Sequence, residues 1–228
     1  MLKVLATSIM ALTCLIALFA QTKDADNQTW RSDFQIQRDE LSSTGRNPYF
    51  ILEPGYVLGL EAGNERLTIT VLNETRNIDN VETRVVEERE TKNGRLVEIS
   101  RNYFAISKHS NDVYYFGEDV DMYKAGKVIS HEGAWLAGVN RARFGLMMPG
   151  SPMLRAKYYQ EFAPGLAMDR AEIVSLNATL TTPAGTFKQV LKVVETTPLE
   201  RGAAEAKYYA AGVGLIQDGS LKLVRYGK

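Results

Sequence analysis

Arg66-Leu67-Thr68-Ile69-Thr70-Val71-Leu72 alternates apolar and polar side chains, with Leu67, Ile69 and Val71 on one face. Side chains of an extended chain point alternately to opposite sides, so a period of two marks a strand buried on one face. The pattern continues downstream. Residues 81–90 read as a second strand, rich in charge on one side, and Lys92-Asn93-Gly94-Arg95 joins it to Leu96-Val97-Glu98-Ile99. Asn-Gly accepts the positive φ angles of a two-residue hairpin turn, so these runs are expected to pair antiparallel.

Further short apolar or alternating runs follow at 101–106, 113–116, 127–130, 158–162, 171–180, 186–196, 206–210, 215–216 and 221–226. Polar turns such as Lys108-His109-Ser110-Asn111-Asp112, Pro183-Ala184-Gly185 and Asp218-Gly219 separate them. No long stretch carries a helical stripe, and the best short helical candidate lies at 33–41. About ten to twelve strands spaced by turns predict an all-β antiparallel meander, forming a curved open sheet or a partly closed barrel.

Toward the N-terminus, Lys3 precedes an apolar run from Val4 to Ala20, which breaks at Gln21 into Thr22-Lys23-Asp24-Ala25-Asp26-Asn27. A basic start, an apolar middle and a polar flank are the parts of a secretory signal peptide. The run is short against the ~20 residues needed to span a bilayer. Three segments are therefore expected: a signal peptide at 1–20, a polar arm or linker at 21–46 and a single β domain at 47–228. Cys14, the chain's one cysteine, offers an alternative, lipid attachment, although Ala11-Leu12-Thr13 before it lacks the usual lipobox order. Cleavage after Ala20 leaves a cysteine-free domain, secreted or periplasmic, with no transmembrane span and no disulfide.

With 27 basic and 27 acidic side chains, the chain lacks the charge excess of a nucleic-acid binder. Its 45% apolar content is that of a globular body rather than a disordered one. Three Asn-x-Thr sequences, at Asn27, Asn73 and Asn177, meet the glycosylation pattern, which has meaning only in a eukaryotic secretory route.

Thr182-Pro183-Ala184-Gly185-Thr186-Phe187 with Val190, and Tyr208-Tyr209-Ala210-Ala211-Gly212-Val213-Gly214-Leu215-Ile216, resemble a C-terminal hairpin pattern of secreted or lipid-anchored bacterial proteins. From Asn47-Pro48-Tyr49-Phe50 to the end, the chain looks like an uncharacterised exported family of that kind. The resemblance implies a fold and an address but no activity. More loosely, such sheets are similar to the half-barrels of periplasmic lipoprotein carriers, which hold acyl chains on a concave apolar face.

Chemistry-bearing residues are sparse. Gly117-Glu118-Asp119-Val120-Asp121 puts three carboxylates in four positions, and oxygen-rich loops bind hard cations, so Glu118, Asp119 and Asp121 are candidate Ca²⁺ ligands. A solvated acidic turn is the competing reading. His131 beside Glu132 is a candidate general base, although neighbours on a strand point to opposite faces. His109 sits in a polar turn. No nucleophile elbow, zinc helix or phosphate loop is present in the sequence.

Phe144-Gly145-Leu146-Met147-Met148-Pro149-Gly150-Ser151-Pro152-Met153-Leu154 is the strongest candidate for a ligand surface. Methionine adapts its shape and recurs at permissive binding surfaces. With two prolines in it, the segment is expected as an apolar loop, closing the core or forming a lid with Phe144, Leu146, Met147, Met148 and Met153. The leading expectation is an exported, non-enzymatic protein that binds an apolar, amphipathic or lipid ligand, or an envelope partner, in the concave face of its sheet. Its rivals are an envelope enzyme using Glu118, Asp119, Asp121, His131 and Glu132, and a calcium-stabilised scaffold.

Overall fold

A computed structural model describes residues 30–228; the expected signal peptide and Cys14 lie outside the described residues. After a 3₁₀ turn at Arg38–Glu40 come β1 (Leu41–Ser42), β2 (Gly45–Asn47), β3 (Phe50–Leu52), β4 (Val57–Ala62), β5 (Glu65–Ile78) and β6 (Val81–Lys92). They are followed by β7 (Arg95–Ser107), β8 (Val113–Lys124), β9 (Lys127–Ser130), β10 (Trp135–Leu136), β11 (Arg143–Met148), β12 (Lys157–Tyr159) and β13 (Glu161–Phe162). The last five are β14 (Arg170–Thr182), β15 (Gly185–Thr196), β16 (Ala204–Ala210), β17 (Gly214–Asp218) and β18 (Leu221–Gly227). No helix of the described residues is long and apolar enough to cross a membrane.

The fold is an antiparallel sheet nearly closed into a barrel. Its hydrogen-bonded order runs β12-β14-β15-β16-β17-β18-β4-β5-β6-β7-β8-β11-β13. The first and last strands of that series are separated in sequence by Gln160 alone, so one segment spans both edges. Lys157–Tyr159 pairs with β14, and Arg143 and Phe144 of β11 pair with Phe162 and Glu161. Gln160 and Glu161 both donate their N–H to the Asp169 carbonyl, at 2.8 and 3.2 Å. Two residues facing one in this way form a bulge, which bends the segment from one edge to the other. Arg31 fills the remaining gap beside β12, accepting from the Tyr159 N–H at 2.8 Å and donating to the Lys157 carbonyl at 3.0 Å.

The hairpin turn read from Asn93-Gly94 is present, both residues having positive φ (53° and 71°). Closure gives each strand an inner and an outer face. Leu60, Leu67, Val71, Val86 and Leu191 are nearly or fully buried, and at ~1.5–3 kcal/mol for a buried aliphatic or aromatic side chain such residues supply the main driving force. The β2–β3 hairpin plugs one end. Asn47 holds it there: fully buried, it donates to the carbonyls of Asn111 (2.8 Å) and Pro149 (3.0 Å) and accepts from the Tyr49 N–H.

Two sequence expectations change. From Trp30 onward, the segment expected as a polar arm packs on the barrel, burying Trp30, Phe34 and Leu41 and pairing β1 with β7. Its few apolar residues are spaced to land where the outer wall is uncovered. Residues 144–148, expected within an apolar loop, belong to β11 (Arg143–Met148), because the prolines at 149 and 152 lie just beyond the strand and leave its N–H groups intact.

Gly145 is where the seam allows no side chain. A Cβ there would lie well inside contact distance of the Gln160 and Tyr159 carbonyls. A Gly59 Cβ would meet the flexible Arg225 side chain instead. Gly145→Ala is expected to cost about 2–4 kcal/mol and to lower the thermal midpoint by roughly 4–16 °C, with Gly59→Ala costing less than half as much. Urea and thermal unfolding of the two variants check this.

Candidate functional site

Register assigns the inward residues. Leu58, Ile69, Glu88 and Ser100 face one another across β4, β5, β6 and β7. Val120 completes that row on β8. One step toward the far end, Leu67, Glu90 and Glu98 share a row. On the opposite wall, Tyr158 faces Ala171, Ala171 faces Glu195 and Glu195 faces Glu205. Lys207 lies between Val193 and Asp218. A bulge at Gly117 (φ 134°) brings Tyr115 and Glu118 to the same side, opposite Phe104 and Asn102. Trp135 faces Glu118 and stands edge-on to Tyr115, with ring centroids 5.4 Å apart.

The lumen is therefore divided along its axis. Beneath the plug it is apolar: Tyr49, Phe50, Ile51, Tyr56, Leu58, Ile69, Val71, Phe104, Met147, Val213 and Leu215 line a cavity of about 70 Å³. Glu88, Lys207 and Asp218 form its polar floor. Toward the other end the interior is acidic: Glu161 feels the charges of Glu118, Asp169 and Glu195, and Asp218 lies beside Lys207; a mouth lined by Asp169, Glu195, Thr196, Glu205 and Gly219 opens to solvent. Lys207 contacts Glu195 at 3.0 Å and Asp218 at 3.6 Å, and Gln160 donates to Glu195 at 2.9 Å.

Confinement sets the protonation of these groups. Loss of hydration pushes Glu88 up to about 8, with Lys207 pulling the other way and Asp218 and Glu118 adding repulsion. Glu118 rises to about 7, again through lost hydration, with the Tyr115 hydroxyl opposing and Glu98 and Asp169 reinforcing. Burial and then the charge of Glu118 push Glu161 well up. Glu90, Glu98, Asp169, Glu205 and Asp218 also rise, burial being the first cause in each. Burial works hardest to lower Lys207, yet the charges of Glu195 and Asp218, with Tyr209 and Glu88, together outweigh it and hold Lys207 well above the ordinary lysine value. Tyr158 OH and Trp135 Nε1 are buried without a hydrogen-bond partner, and so is Asp218 Oδ1. Such groups mark a place where water or a ligand completes the bonding.

Of the polar residues singled out in the sequence, Asp121 and His131 meet, but the set as a whole does not assemble. Glu118 faces the lumen, while Asp119 takes a hydrogen bond from the Tyr103 hydroxyl (2.7 Å) and an ion pair from Arg76 (2.5 Å) on the outer face. Asp121 lies on that same outer face, 2.9 Å from His131 Nδ1. The acidic run is strand rather than loop, so its carboxylates alternate between faces, and the expected Ca²⁺ site through Glu118, Asp119 and Asp121 is not formed. Among the described residues, no three His, Cys, Asp or Glu side chains gather closely enough to hold a metal ion. His131 is largely exposed, with its Nδ1 also 2.8 Å from the Val120 carbonyl, and Glu132 is exposed at a turn. Both stand exposed on the surface while Glu118 faces the lumen, so these side chains do not converge on one cleft.

Of the apolar candidates, Met147 lines the cavity. Phe144 stacks on Phe116 in a separate aromatic cluster with Tyr114 and Phe34. Leu146 and Met148 are buried, and Met153 stands 70% exposed at an outer groove. The lumen acids were missed because charge on strands was assigned to solvent. Glu87-Glu88-Arg89-Glu90 carries charge on both faces, which was the available signal.

Raised carboxyls give stability a definite pH dependence. Glu88 and Glu118 keep their protons in the fold at pH values where the unfolded chain has lost them. The native state is thus unpenalised below about 4.5 and loses stability as pH climbs through about 7 and 8. Thermal melts are expected to drop between pH 5 and pH 8.5, and Glu88→Gln to flatten that drop and raise the pH 8.5 midpoint by roughly 2–4 °C per kcal/mol recovered. Compared with known proteins, the chain matches no family model, no curated protein and no solved structure.

Proposed function

We propose that this protein is a binding protein whose ligand is a small amphipathic molecule held inside the barrel. One observation carries the reading: the cavity beneath the plug is lined by apolar side chains along its length and by Glu88, Lys207 and Asp218 at one end. Pockets of that character hold an apolar body and orient it by a few polar groups. At about 70 Å³ the space is smaller than the ~150 Å³ cavity that takes up a benzene ring. It suits a short alkyl chain, extended by rotation of Met147, whose unbranched side chain adapts at little cost. A long acyl chain of the lipoprotein-carrier kind does not fit. The signal-like segment Lys3–Ala20 gives such a receptor an envelope or extracellular address.

Trp135 provides the readout. It stands against Tyr115 on the lumen side, while Trp30, the other tryptophan, sits on the outer wall between Lys157 and Arg170. Addition of n-butyl compounds, short enough for this space once Met147 rotates, is expected to change the emission of a Trp30→Phe protein saturably and to give a one-to-one mass shift in native mass spectrometry. Val71→Phe, which fills the cavity, is expected to weaken that binding at least tenfold. Absence of any saturable change, or binding undisturbed by Val71→Phe, overturns the proposal.

A further inference from the structure

We infer that the lumen selects an organic cation, an alkylamine head on an apolar tail, and admits it in exchange for protons. The inference rests on the lumen being a binding chamber and names the chemistry of what enters it. Charge balance is the first ground. Glu88, Glu118, Glu161, Glu195 and Asp218 share the interior with Lys207, which is already engaged by Glu195 and Asp218. Arg84, buried at the plug end, spends its donors on the Ser43, Leu72 and Glu74 carbonyls and the Thr44 hydroxyl, so it neutralises none of them.

A second ground is independent of charge. Tyr158 is 3% exposed and its hydroxyl has no partner, yet its position in register places it on the face that carries Glu195. A phenol oxygen accepts from an ammonium N–H. Tyr115 and Trp135, edge to face above Glu118, offer aromatic surface, and ring faces attract cations further. An anionic head would meet like charge in a poorly hydrated space, and a neutral head would leave the carboxylates unpaired.

Proton exchange follows from the same enclosure. The groups facing the head are Glu88 and Glu90 on β6, Glu98 on β7, Tyr115 and Glu118 on β8, and Tyr158 and Glu161 on the closing segment. From the other wall come Asp169, Glu195 on β15, Glu205, Lys207 and Tyr209 on β16, and Asp218 on β17. Near neutral pH Glu88 holds its proton and Glu118 holds one part of the time, and burial pushes Glu161 in the same direction. An arriving ammonium stabilises their ionised forms, so protons leave as it binds.

Butylamine, 1-butanol and butanoate compared on the intact barrel test this, by Trp135 emission in the Trp30→Phe protein and by calorimetry in two buffers of different ionisation heat. Butylamine is expected to bind at least tenfold more tightly than butanol, to tighten severalfold from pH 5.5 to pH 8, and to release protons. Butanoate is expected to bind more weakly than butanol. Glu161→Gln is expected to weaken butylamine while sparing butanol. Butanol or butanoate binding as tightly as butylamine, or amine binding without proton release, overturns the cation inference and leaves the chamber standing. Failure of all three to bind removes the chamber itself.

Discussion

The hydrogen bonds that Lys157–Tyr159 makes to β14, and those that Glu161–Phe162 makes to β11, join the two ends of a sheet that would otherwise present two open edges. Unpaired edges invite pairing with other chains, and closure is the one arrangement that removes them. Here it depends on a bulge one residue wide. Gln160 and Glu161 share the Asp169 carbonyl, Arg31 plugs the residual gap, and Gly145 leaves room for the crossing backbone. Every inward position acquires its meaning from that closure. Glu88, Glu195 and Asp218 would be ordinary surface acids on an open, flat sheet; within a barrel they share one poorly hydrated space.

How much of this was legible in the sequence differs by level. Alternation at 66–72 and the Asn93-Gly94 turn are local signals, so strand identity and antiparallel pairing could be read directly. Strand runs at 81–90, 127–130, 171–180, 186–196 and 221–226 all fall within observed strands. Closure was not legible, because it depends on which distant segments meet: the run at 158–162 reads as one strand, and nothing local divides it at Gln160 into β12 and β13, which pair with opposite edges. The candidate metal site failed for a related reason. Glu118, Asp119 and Asp121 are close in sequence, but a strand sends neighbours to opposite faces, so closeness along the chain separated Glu118 from Asp119 rather than uniting them.

The same alternation explains what was overlooked. On β6 the outward row is Glu87 and Arg89, and the inward row at that height is Glu88 and Glu90. Charge in both registers of one strand cannot belong to a strand with a dry inner face. Nothing local distinguishes an acid that faces a closed lumen from one that faces water. That distinction comes from β15, β16 and β17, whose Glu195, Lys207 and Asp218 arrive from more than a hundred residues away.

An interior of this composition is not the most stable way to fill a barrel. Well-packed apolar side chains in place of a buried ionic cluster are often neutral or stabilising, whereas desolvated carboxyls oppose folding as they ionise. The apolar half beneath the plug demonstrates that this chain can build an apolar interior, since Val71, Val86 and Phe104, which line the cavity, are almost wholly enclosed there. The acidic half departs from that packing in its charge; Tyr158 and Asp218 keep unpartnered oxygens there, as Trp30 Nε1 and Gln217 Oε1 are unpartnered elsewhere. Departures of that kind concentrate where a protein meets its ligand, because a group fully satisfied within the fold has no bonding capacity left for one. The boundary between the two halves, at Glu88, Lys207 and Asp218, is accordingly where recognition is expected to reside.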